Sequence, residues 1–404
     1  MRVRGSAGGG RVPLPRALHL RSAGLATPAT TQSSLASWAL ARLAPCSSRA
    51  AAATRHSAAL AAADLDREEC RYLAVGAGDG SLYIHDVLAR AGGGAPLLHV
   101  GRSHAHCHKS AVTSVSWGGD SGLVTSCSRD GVLAVWDTNT GRAAELVQLG
   151  SRIHRHHLQP AHSLVAAGGD TSHVQLVDLR SGSRAHVLRG GHTGQVVGVA
   201  WAPGPAPLLA TAGDTDRRVV VWDVRRASSC LHRLDADRVR VRRPGSRRPE
   251  PQLAGWSHKA PVQGVVWTAG GRGLLSVGQD QRLRQWDAVL GLNMKTRFPS
   301  VASSSSLASV QLEVSAGCAR DCVFVPESSR VSLLALDTGG LLATLSGHYG
   351  SVHCLKFNPQ QLELYTGGKD KHVHIWSPES QQSQDDADDD NKLTCDTWSD
   401  SDSE

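Results

Sequence analysis

The sequence lacks the features that would indicate a membrane protein, a disulfide framework or a zinc module. No apolar run approaches the roughly 18 residues that a membrane-spanning helix needs, so we expect no membrane partner. The nine cysteines are odd in number, follow no regular spacing and include no C-x-x-C pair, which favours a reducing compartment. No phosphate-binding loop is present. We therefore expect no cofactor and no small-molecule substrate.

Acidic residues are missing from one end of the chain and concentrated at the other. Residues 1–63 hold eight arginines and no acidic residue, whereas residues 379–404 hold ten acidic residues and one lysine. The composition predicts a disordered or atypical extension over 1–37 and a disordered acidic tail over 379–404. Three serines among the tail's acidic residues are candidate phosphorylation sites: Ser399, Ser401 and Ser403. An arginine-rich, acid-free start is also typical of mitochondrial transit peptides, which remain an alternative.

One pattern recurs through the rest of the chain. Each copy has a histidine, an apolar stretch, a strand of small residues, a turn aspartate and an alternating strand that ends in Trp-Asp or a variant of it. The copies end at seven positions that lie 40 to 64 residues apart: Asp86, Asp137, Asp178, Asp223, Asp287, Asp337 and Ser377. WD repeats run about 40–45 residues and each forms one four-stranded blade. The pattern predicts an all-β fold, a closed seven-bladed WD-repeat β-propeller over residues 38–378.

Two segments outside the regular pattern need their own interpretation. The Arg- and Pro-rich residues 233–252 explain the longest step and predict a surface loop inserted into one repeat. Arginine forks match phosphate oxygens, but the insert has no interleaved aromatics for base stacking, so a mobile solvated loop is the alternative. Near the start, "WALARL" (38–43) alternates apolar residues. We predict that it closes the propeller by pairing with the last blade, because an open strand edge invites aggregation.

Within three repeats, a hydroxyl residue precedes the turn aspartate by four positions and a tryptophan follows it by six. With the histidine of the same repeat, these residues predict a buried hydrogen-bonded chain from Asp through His and Ser or Thr to Trp. The predicted sets are His108, Ser126, Asp130 and Trp136; His258, Ser276, Asp280 and Trp286; and His348, Thr366, Asp370 and Trp376. The repeat ending at Trp222 departs, because Ala212 stands four places before Asp216 and Thr211 is one place off.

Two other interpretations of these polar residues are weaker. His, Asp and Ser together suggest a catalytic triad, but a nucleophile would occur once, and these sets recur at the blade period. Two histidine clusters suggest a metal site: His104, His106 and His108, and His154, His156 and His157. His108 already belongs to a repeat set, and no fourth ligand has a suitable register, so we predict no metal site.

The words between the repeats are more specific than the repeats themselves. The segments 135–141, 174–183, 188–203, 221–231, 314–326 and 345–354, with the terminal "DTWSDSD", resemble the Cockayne syndrome group A family of WD-repeat proteins. The resemblance implies a non-catalytic substrate receptor of a cullin-4 RING ubiquitin ligase, docked on the adaptor damaged-DNA-binding protein 1. It also implies a nuclear role in transcription-coupled nucleotide excision repair, beside the Cockayne syndrome group B translocase and stalled RNA polymerase II.

One local motif carries over with the resemblance. Trp222-Asp223-Val224-Arg225 matches the W-D-x-R signature of adaptor-binding WD proteins, and Arg226 doubles the charge. Arg225 follows a strand end, so it should emerge on a propeller face, and an ordinary surface arginine is the alternative. Asp178-Leu179-Arg180 is a weaker second candidate.

The start of the chain departs from the family. Residues 1–37 do not resemble the helix–loop–helix that family members insert into the adaptor, so either docking differs or this start is not the native one. The alternative function is a WD-repeat scaffold that binds nucleic acid or chromatin through the arginines of 233–250.

Overall fold

The fold is known over most of the chain between Leu43 and Pro378. The computed structural model describes residues 36, 39–45, 56–88, 98–100, 108–119, 121–159, 163–204, 206–226, 230–237, 255–302, 309–315 and 320–378. The phosphorylation candidates, the acidic tail and most of the basic insert therefore lie outside the described residues.

The strands form seven antiparallel sheets of four, which we number as blades 1 to 7 in chain order. Blade 1 contains β2 (Leu60–Leu65), β3 (Tyr72–Ala77), β4 (Leu82–Asp86) and β5 (Leu98–Val100). Blade 2 contains β6 (Val112–Trp117), β7 (Leu123–Ser128), β8 (Val132–Asp137) and β9 (Arg142–Gln148). Blade 3 contains β10 (Ile153–Gln159), β11 (Leu164–Gly169), β12 (Val174–Asp178) and β13 (Ser183–Leu188). Blade 4 contains β14 (Val196–Trp201), β15 (Leu208–Gly213), β16 (Val219–Asp223) and β17 (Cys230–Leu234). Blade 5 contains β18 (Val262–Trp267), β19 (Gly273–Gly278), β20 (Leu283–Asp287) and β21 (Leu292–Asn293). Blade 6 contains β22 (Glu313–Val314), β23 (Cys322–Glu327), β24 (Arg330–Ala335) and β25 (Leu341–Ser346). Blade 7 contains β26 (Val352–Asn358), β27 (Glu363–Gly368), β28 (Val373–Pro378) and β1 (Leu43–Pro45). The predicted seven-bladed propeller is confirmed.

In six of the seven blades the predicted repeat end falls on the third strand. In blades 1 to 5 that strand ends at the predicted aspartate, and Ser377 is the next-to-last residue of β28. Asp337 lies two residues beyond the end of β24. The third strands therefore end within two residues of the predicted position in every blade, and the residues after these ends emerge on one face.

The hydrophobic core lies between neighbouring blades. Ala74 and Leu82 of blade 1 pack against Val112 and Trp136 of blade 2 in one cluster, and similar clusters join the other blades. A tryptophan at the end of a first strand also donates its indole N–H to a carbonyl of the preceding blade, as Trp117 does to Asp64 at 3.0 Å. The first strands therefore line the propeller axis and are tied to one another from blade to blade.

The propeller is closed by a strand from the N-terminal end of the described chain. β1 pairs antiparallel with β28, with Leu43 opposite Pro378 and Pro45 opposite Trp376. The closure itself was predicted, but the position 38–43 was wrong, because Ala39 and Leu40 are helical and buried. Ala36, Ala39 and Leu40 recur at the i, i+3, i+4 spacing of a helical apolar face, and this helical period prevails over the short alternation.

Candidate functional site

The recurring His, Asp and hydroxyl residues form closed hydrogen-bonded chains inside single blades. In blade 2, His108 Nε2 lies 2.7 Å from Ser126 Oγ, and the indole N–H of Trp136 donates to the same oxygen at 2.8 Å. Blades 5 and 7 repeat this arrangement: His258, Ser276, Asp280 and Trp286; and His348, Thr366, Asp370 and Trp376. The histidine-to-aspartate distances are 3.4, 2.9 and 2.6 Å in blades 2, 5 and 7. We call each set a repeat network.

The fourth blade completes the same network with a shifted turn. His192 lies 2.7 Å from both Asp216 and Thr211, and Trp222 donates to Thr211 at 2.8 Å. Trp222 pairs with Leu209, two residues before Thr211, just as Trp136 pairs with Val124, two residues before Ser126. The strand register is therefore the same, and the extra residue lies in the turn that precedes Asp216.

Burial favours the neutral form of the histidine in the repeat networks of blades 5 and 7. Burial lowers the pKa of His258 and of His348, although the aspartate beside each ring opposes that shift. A neutral imidazole donates from Nδ1 to the aspartate and accepts at Nε2 from the Ser or Thr hydroxyl, whose oxygen in turn accepts the indole N–H. Every group in the chain is then satisfied within its own blade, which gives these residues a role in folding rather than in a reaction.

The W-D-x-R residues lie where the third strand of blade 4 ends. Trp222 is buried in its repeat network, whereas the Arg225 side chain is 69% exposed. Arg225 donates from Nε and NH2 to the two carboxylate oxygens of Asp223, at 3.0 and 2.8 Å. Arg226 is exposed beside it. The motif thus combines a buried tryptophan with an outward guanidinium that Asp223 orders. The guanidinium lies on what we call the lower face, which is formed by the turns after the first and third strands of each blade.

In three further blades an arginine lies within ion-pair distance of the aspartate that ends or follows the third strand. Arg71 contacts Asp86 at 2.7 Å, and Arg320 contacts Asp337 at 3.3 Å. Arg272 and Asp287 are 4.0 Å apart. Sequence reasoning missed these pairs, because the arginine of each precedes the second strand and no short motif links it to the aspartate. Asp178 of the weaker candidate instead accepts from the backbone N–H of Arg180. The lower face therefore carries several arginines, of which Arg225 alone belongs to a W-D-x-R motif.

A cavity of about 680 Å³ lies along the propeller axis, is lined by the first strands and contains a cluster of charged side chains. Lys356 of blade 7 reaches Glu313 of blade 6 at 2.9 Å and Asp64 of blade 1 at 3.3 Å. Burial raises the pKa of Glu313. At Asp64 burial acts in the same direction, but Lys356, Arg67 and the backbone N–H of Trp117 together outweigh it and hold the pKa below its usual value. Sequence reasoning did not find this cluster, because its residues come from three blades and form no local motif.

The histidine clusters are used in hydrogen bonding. His154 bonds Asp170 at 2.8 Å, His156 bonds Ser114 and Thr125, and His157 Nδ1 accepts the backbone N–H of Trp201. His104 and His106 lie outside the described residues.

A second group, His348, Asp370 and His374, has potential ligand atoms within 4.8 Å of one another. Both ring nitrogens of His348 are already engaged by Asp370 and Thr366. The repeat network therefore accounts for this grouping.

Comparison with known proteins finds a matching family model and several similar proteins. Three segments match the family model of the WD domain, G-beta repeat: residues 100–137, 182–223 and 339–377. The chain is 28% identical over 419 residues to WD repeat-containing protein ATCSA-1 of Arabidopsis thaliana, covering 85% of this chain and 91% of that protein. It is 20% identical over 278 residues to APC/C activator protein CDC20 of Saccharomyces cerevisiae, covering 66% and 41%. To Radiation-sensitive protein 28 of the same yeast it is 24% identical over 194 residues, covering 44% and 38%.

These matches agree with the fold and with the resemblance noted in the sequence. Proteins of the WD-repeat family are typically non-catalytic scaffolds. Among the described residues, no helix is both long and apolar enough to cross a membrane. The chain is a seven-bladed WD-repeat β-propeller related to the Cockayne syndrome group A proteins.

Proposed function

We propose that this protein is the substrate-recognition subunit of a cullin-4 RING ubiquitin ligase and that its lower face docks on the adaptor damaged-DNA-binding protein 1. The observation that carries the proposal is the similarity to ATCSA-1 along most of both chains, joined to a W-D-x-R motif whose arginine is ordered and outward. In this role the chain is a non-catalytic receptor. It acts in the nucleus in transcription-coupled nucleotide excision repair, with the Cockayne syndrome group B translocase and stalled RNA polymerase II as neighbours.

The geometry of Arg225 suits a docking contact. Its two bonds to Asp223 fix the plane of the guanidinium, so less side-chain freedom is lost when a partner binds. The N–H donors that do not face Asp223 remain available to carboxylates or carbonyls of the adaptor. Arg226 adds a second positive charge at the same turn and speeds encounter with an acidic surface.

The alternative of a nucleic-acid scaffold depended on the arginines of the insert. Those arginines beyond Arg233 lie outside the described residues. Arg233 itself donates to the backbone carbonyl of Gly190 at 2.7 Å, which is a contact within the propeller. No described contact favours this alternative over the receptor function.

The double variant Arg225→Ala, Arg226→Ala is expected to weaken adaptor binding by about 10- to 150-fold, since charged hydrogen bonds contribute about 1.5–3 kcal/mol. The Arg225→Glu variant should bind the adaptor more weakly than Arg225→Ala, because the glutamate adds charge repulsion to the loss of the arginine's hydrogen bonds. The melting temperature should hardly change, because an exposed ion pair contributes about 0–1 kcal/mol to folding. Calorimetry with purified adaptor and folded full-length protein measures the effect.

Arg272→Ala is the matched control for this experiment. Arg272 lies on the same face, is 75% exposed and stands beside a strand-end aspartate, but it belongs to no W-D-x-R motif. Its removal should leave adaptor affinity within about threefold of wild type. Wild-type affinity in the double variant would refute the docking role of the motif. An equal loss in Arg272→Ala would show that the face acts through general positive charge.

A further inference from the structure

Arg155 differs from the other charged residues of the axial cavity. It lies on β10, the first strand of blade 3, is partly exposed and lines the cavity. Within the described part of the chain, its guanidinium has no hydrogen-bond acceptor and no carboxylate at ion-pair distance. A charge in such a confined setting is unfavourable unless it is paired, so an anionic ligand would stabilise it.

The carboxylates of the cavity are engaged by other groups. Asp64 accepts the backbone N–H of Trp117 at 2.8 Å and the ammonium of Lys356 at 3.3 Å. Glu313 is paired with Lys356 at 2.9 Å. The two carboxylates share one lysine, which leaves neither of them to turn toward Arg155.

The charges that line the cavity sum to one positive unit. They are those of Arg67, Arg155 and Lys356 against Asp64 and Glu313. His156 and His157 add nothing at neutral pH, because burial lowers the pKa of each to about 3. A ligand with one negative charge therefore neutralises the cavity, whereas a dianion leaves an uncompensated negative charge.

Two neutral polar groups of the lining also lack partners. Gln159 is 3% exposed, and both its amide nitrogen and its amide oxygen are without a hydrogen bond, as is Ser309 Oγ. An amide needs an acceptor and a donor together. A hydroxyl group supplies both from one atom, whereas a carboxylate supplies acceptors only. A ligand that satisfies these groups therefore carries hydroxyls beside its carboxylate.

The spacing of Arg155 and Gln159 indicates the length of the ligand. The two residues are four positions apart on β10, which places their Cα atoms about 13 Å apart. Side chains stand roughly perpendicular to a sheet, so the polar groups are separated by a similar distance. A chain of about six carbon atoms with a hydrogen bond at each end spans this gap. A single small ion contacts only one of the two groups.

Much of the remaining wall is apolar. Val115, Val199, Val265, Trp201 and Trp267 line the cavity and offer packing surface to the C–H groups of a ligand. The volume of about 680 Å³ is within the range of about 300–1,000 Å³ that is usual for small-molecule sites. An apolar wall with a few placed polar groups is also usual for such sites.

We propose that the axial cavity binds a polyhydroxylated monocarboxylate, such as a six-carbon sugar acid, with its carboxylate on Arg155 and its hydroxyl groups on Gln159 and Ser309. The carboxylate supplies the charge that the cavity lacks, and the hydroxyls supply the paired donors and acceptors. No residue of the W-D-x-R motif lines the cavity. The inference is therefore independent of the proposed ligase function.

The test uses calorimetry on the full-length protein with four six-carbon probes: gluconate, sorbitol, hexanoate and glucarate. Sorbitol keeps the hydroxyls without the carboxylate, hexanoate keeps the carboxylate without the hydroxyls, and glucarate carries a second carboxylate. Gluconate is expected to bind at least about tenfold more tightly than sorbitol or hexanoate, and several-fold more tightly than glucarate. Sorbitol or hexanoate equal to gluconate, glucarate tighter than gluconate, or no binding of gluconate at millimolar concentration overturns the proposal.

Variants separate binding from folding damage. Arg155→Gln should abolish the preference for gluconate over sorbitol, while Arg184→Gln on the exposed outer strand β13 should leave it unchanged. Gln159→Leu should reduce the preference for gluconate over hexanoate several-fold, because it removes the amide that pairs with hydroxyls.

A gain of binding gives the sharpest control. Glu313→Gln removes a negative charge from the cavity, so it should tighten gluconate several-fold and leave sorbitol unchanged, a result that misfolding cannot produce. An unchanged gluconate preference in Arg155→Gln, or weaker gluconate binding in a folded Glu313→Gln protein, contradicts the proposed site.

Discussion

Trp136→Ala is expected to lower the free energy of unfolding by about 3–5 kcal/mol, the range for removing a buried large aromatic side chain. Trp136 is 2% exposed and packs in the core between blades 1 and 2. Its removal leaves a cavity and takes away the N–H that Ser126 accepts at 2.8 Å. Urea unfolding followed by circular dichroism measures the change.

The control is another tryptophan of the same chain. Trp256 is 59% exposed and lies with its ring 5.3 Å from the Arg217 guanidinium. Trp256→Ala should change the free energy of unfolding by about 1 kcal/mol or less, because it leaves no buried cavity and no unpaired group. Equal effects of the two substitutions, or a wild-type unfolding curve for Trp136→Ala, would contradict the structural role of the repeat network.

The repeat networks show how much of this fold the sequence reveals. Blade number, third-strand ends and three of the networks follow from short-range spacing, because each blade is one contiguous segment that repeats the same internal contacts. The fourth network was left open, since a turn one residue longer shifts the spacing without changing the strand register. Gly213 and Gly278 also indicate the networks, because a Cβ at either position would lie 2.6 Å from Nδ1 of the histidine in the same blade.

The sites that sequence reasoning missed have the opposite character. Asp64, Glu313 and Lys356 meet only because blades 1, 6 and 7 share an axis, and the sequence pattern alone does not give the side-chain order around that axis. The arginines beside these aspartates are equally hidden, because the pairing of Tyr72 with Asp86, and not a sequence motif, brings Arg71 beside Asp86. Long-range charge pairs are therefore visible only in the folded structure, whereas the W-D-x-R motif is visible in the sequence.

Acid is expected to destabilise this protein well above the pH at which carboxylates titrate. Burial lowers the pKa of His56 and His85 to about 4, and that of His156 and His157 to about 3. The ordinary value is 6.5, so these four rings stay neutral in the folded state while the unfolded chain takes up protons below that pH. The unfolded state binds more protons as pH falls, and the stability therefore falls with it.

The size of the effect follows from the number of buried rings. Each histidine lowers the free energy of unfolding by up to about 1.4 kcal/mol per pH unit between the unfolded and the folded pKa. The loss begins near pH 6.5, continues through pH 5 and levels off once the folded-state pKa values of about 4 and about 3 are passed. Urea unfolding at a series of pH values from 7.5 to 5 gives the slope directly.

Substitution of the buried rings tests the assignment. His156→Gln removes one titrating ring, so the slope should decrease by about 1.4 kcal/mol per pH unit, whatever the variant's stability at neutral pH. The double variant His156→Gln, His157→Gln should reduce it by about twice that amount. The slope is the proper readout, because the lost bonds to Ser114 and Thr125 lower stability equally at every pH. A slope that stays at the wild-type value in both variants would place the protonation that unfolds the protein outside the axial histidines.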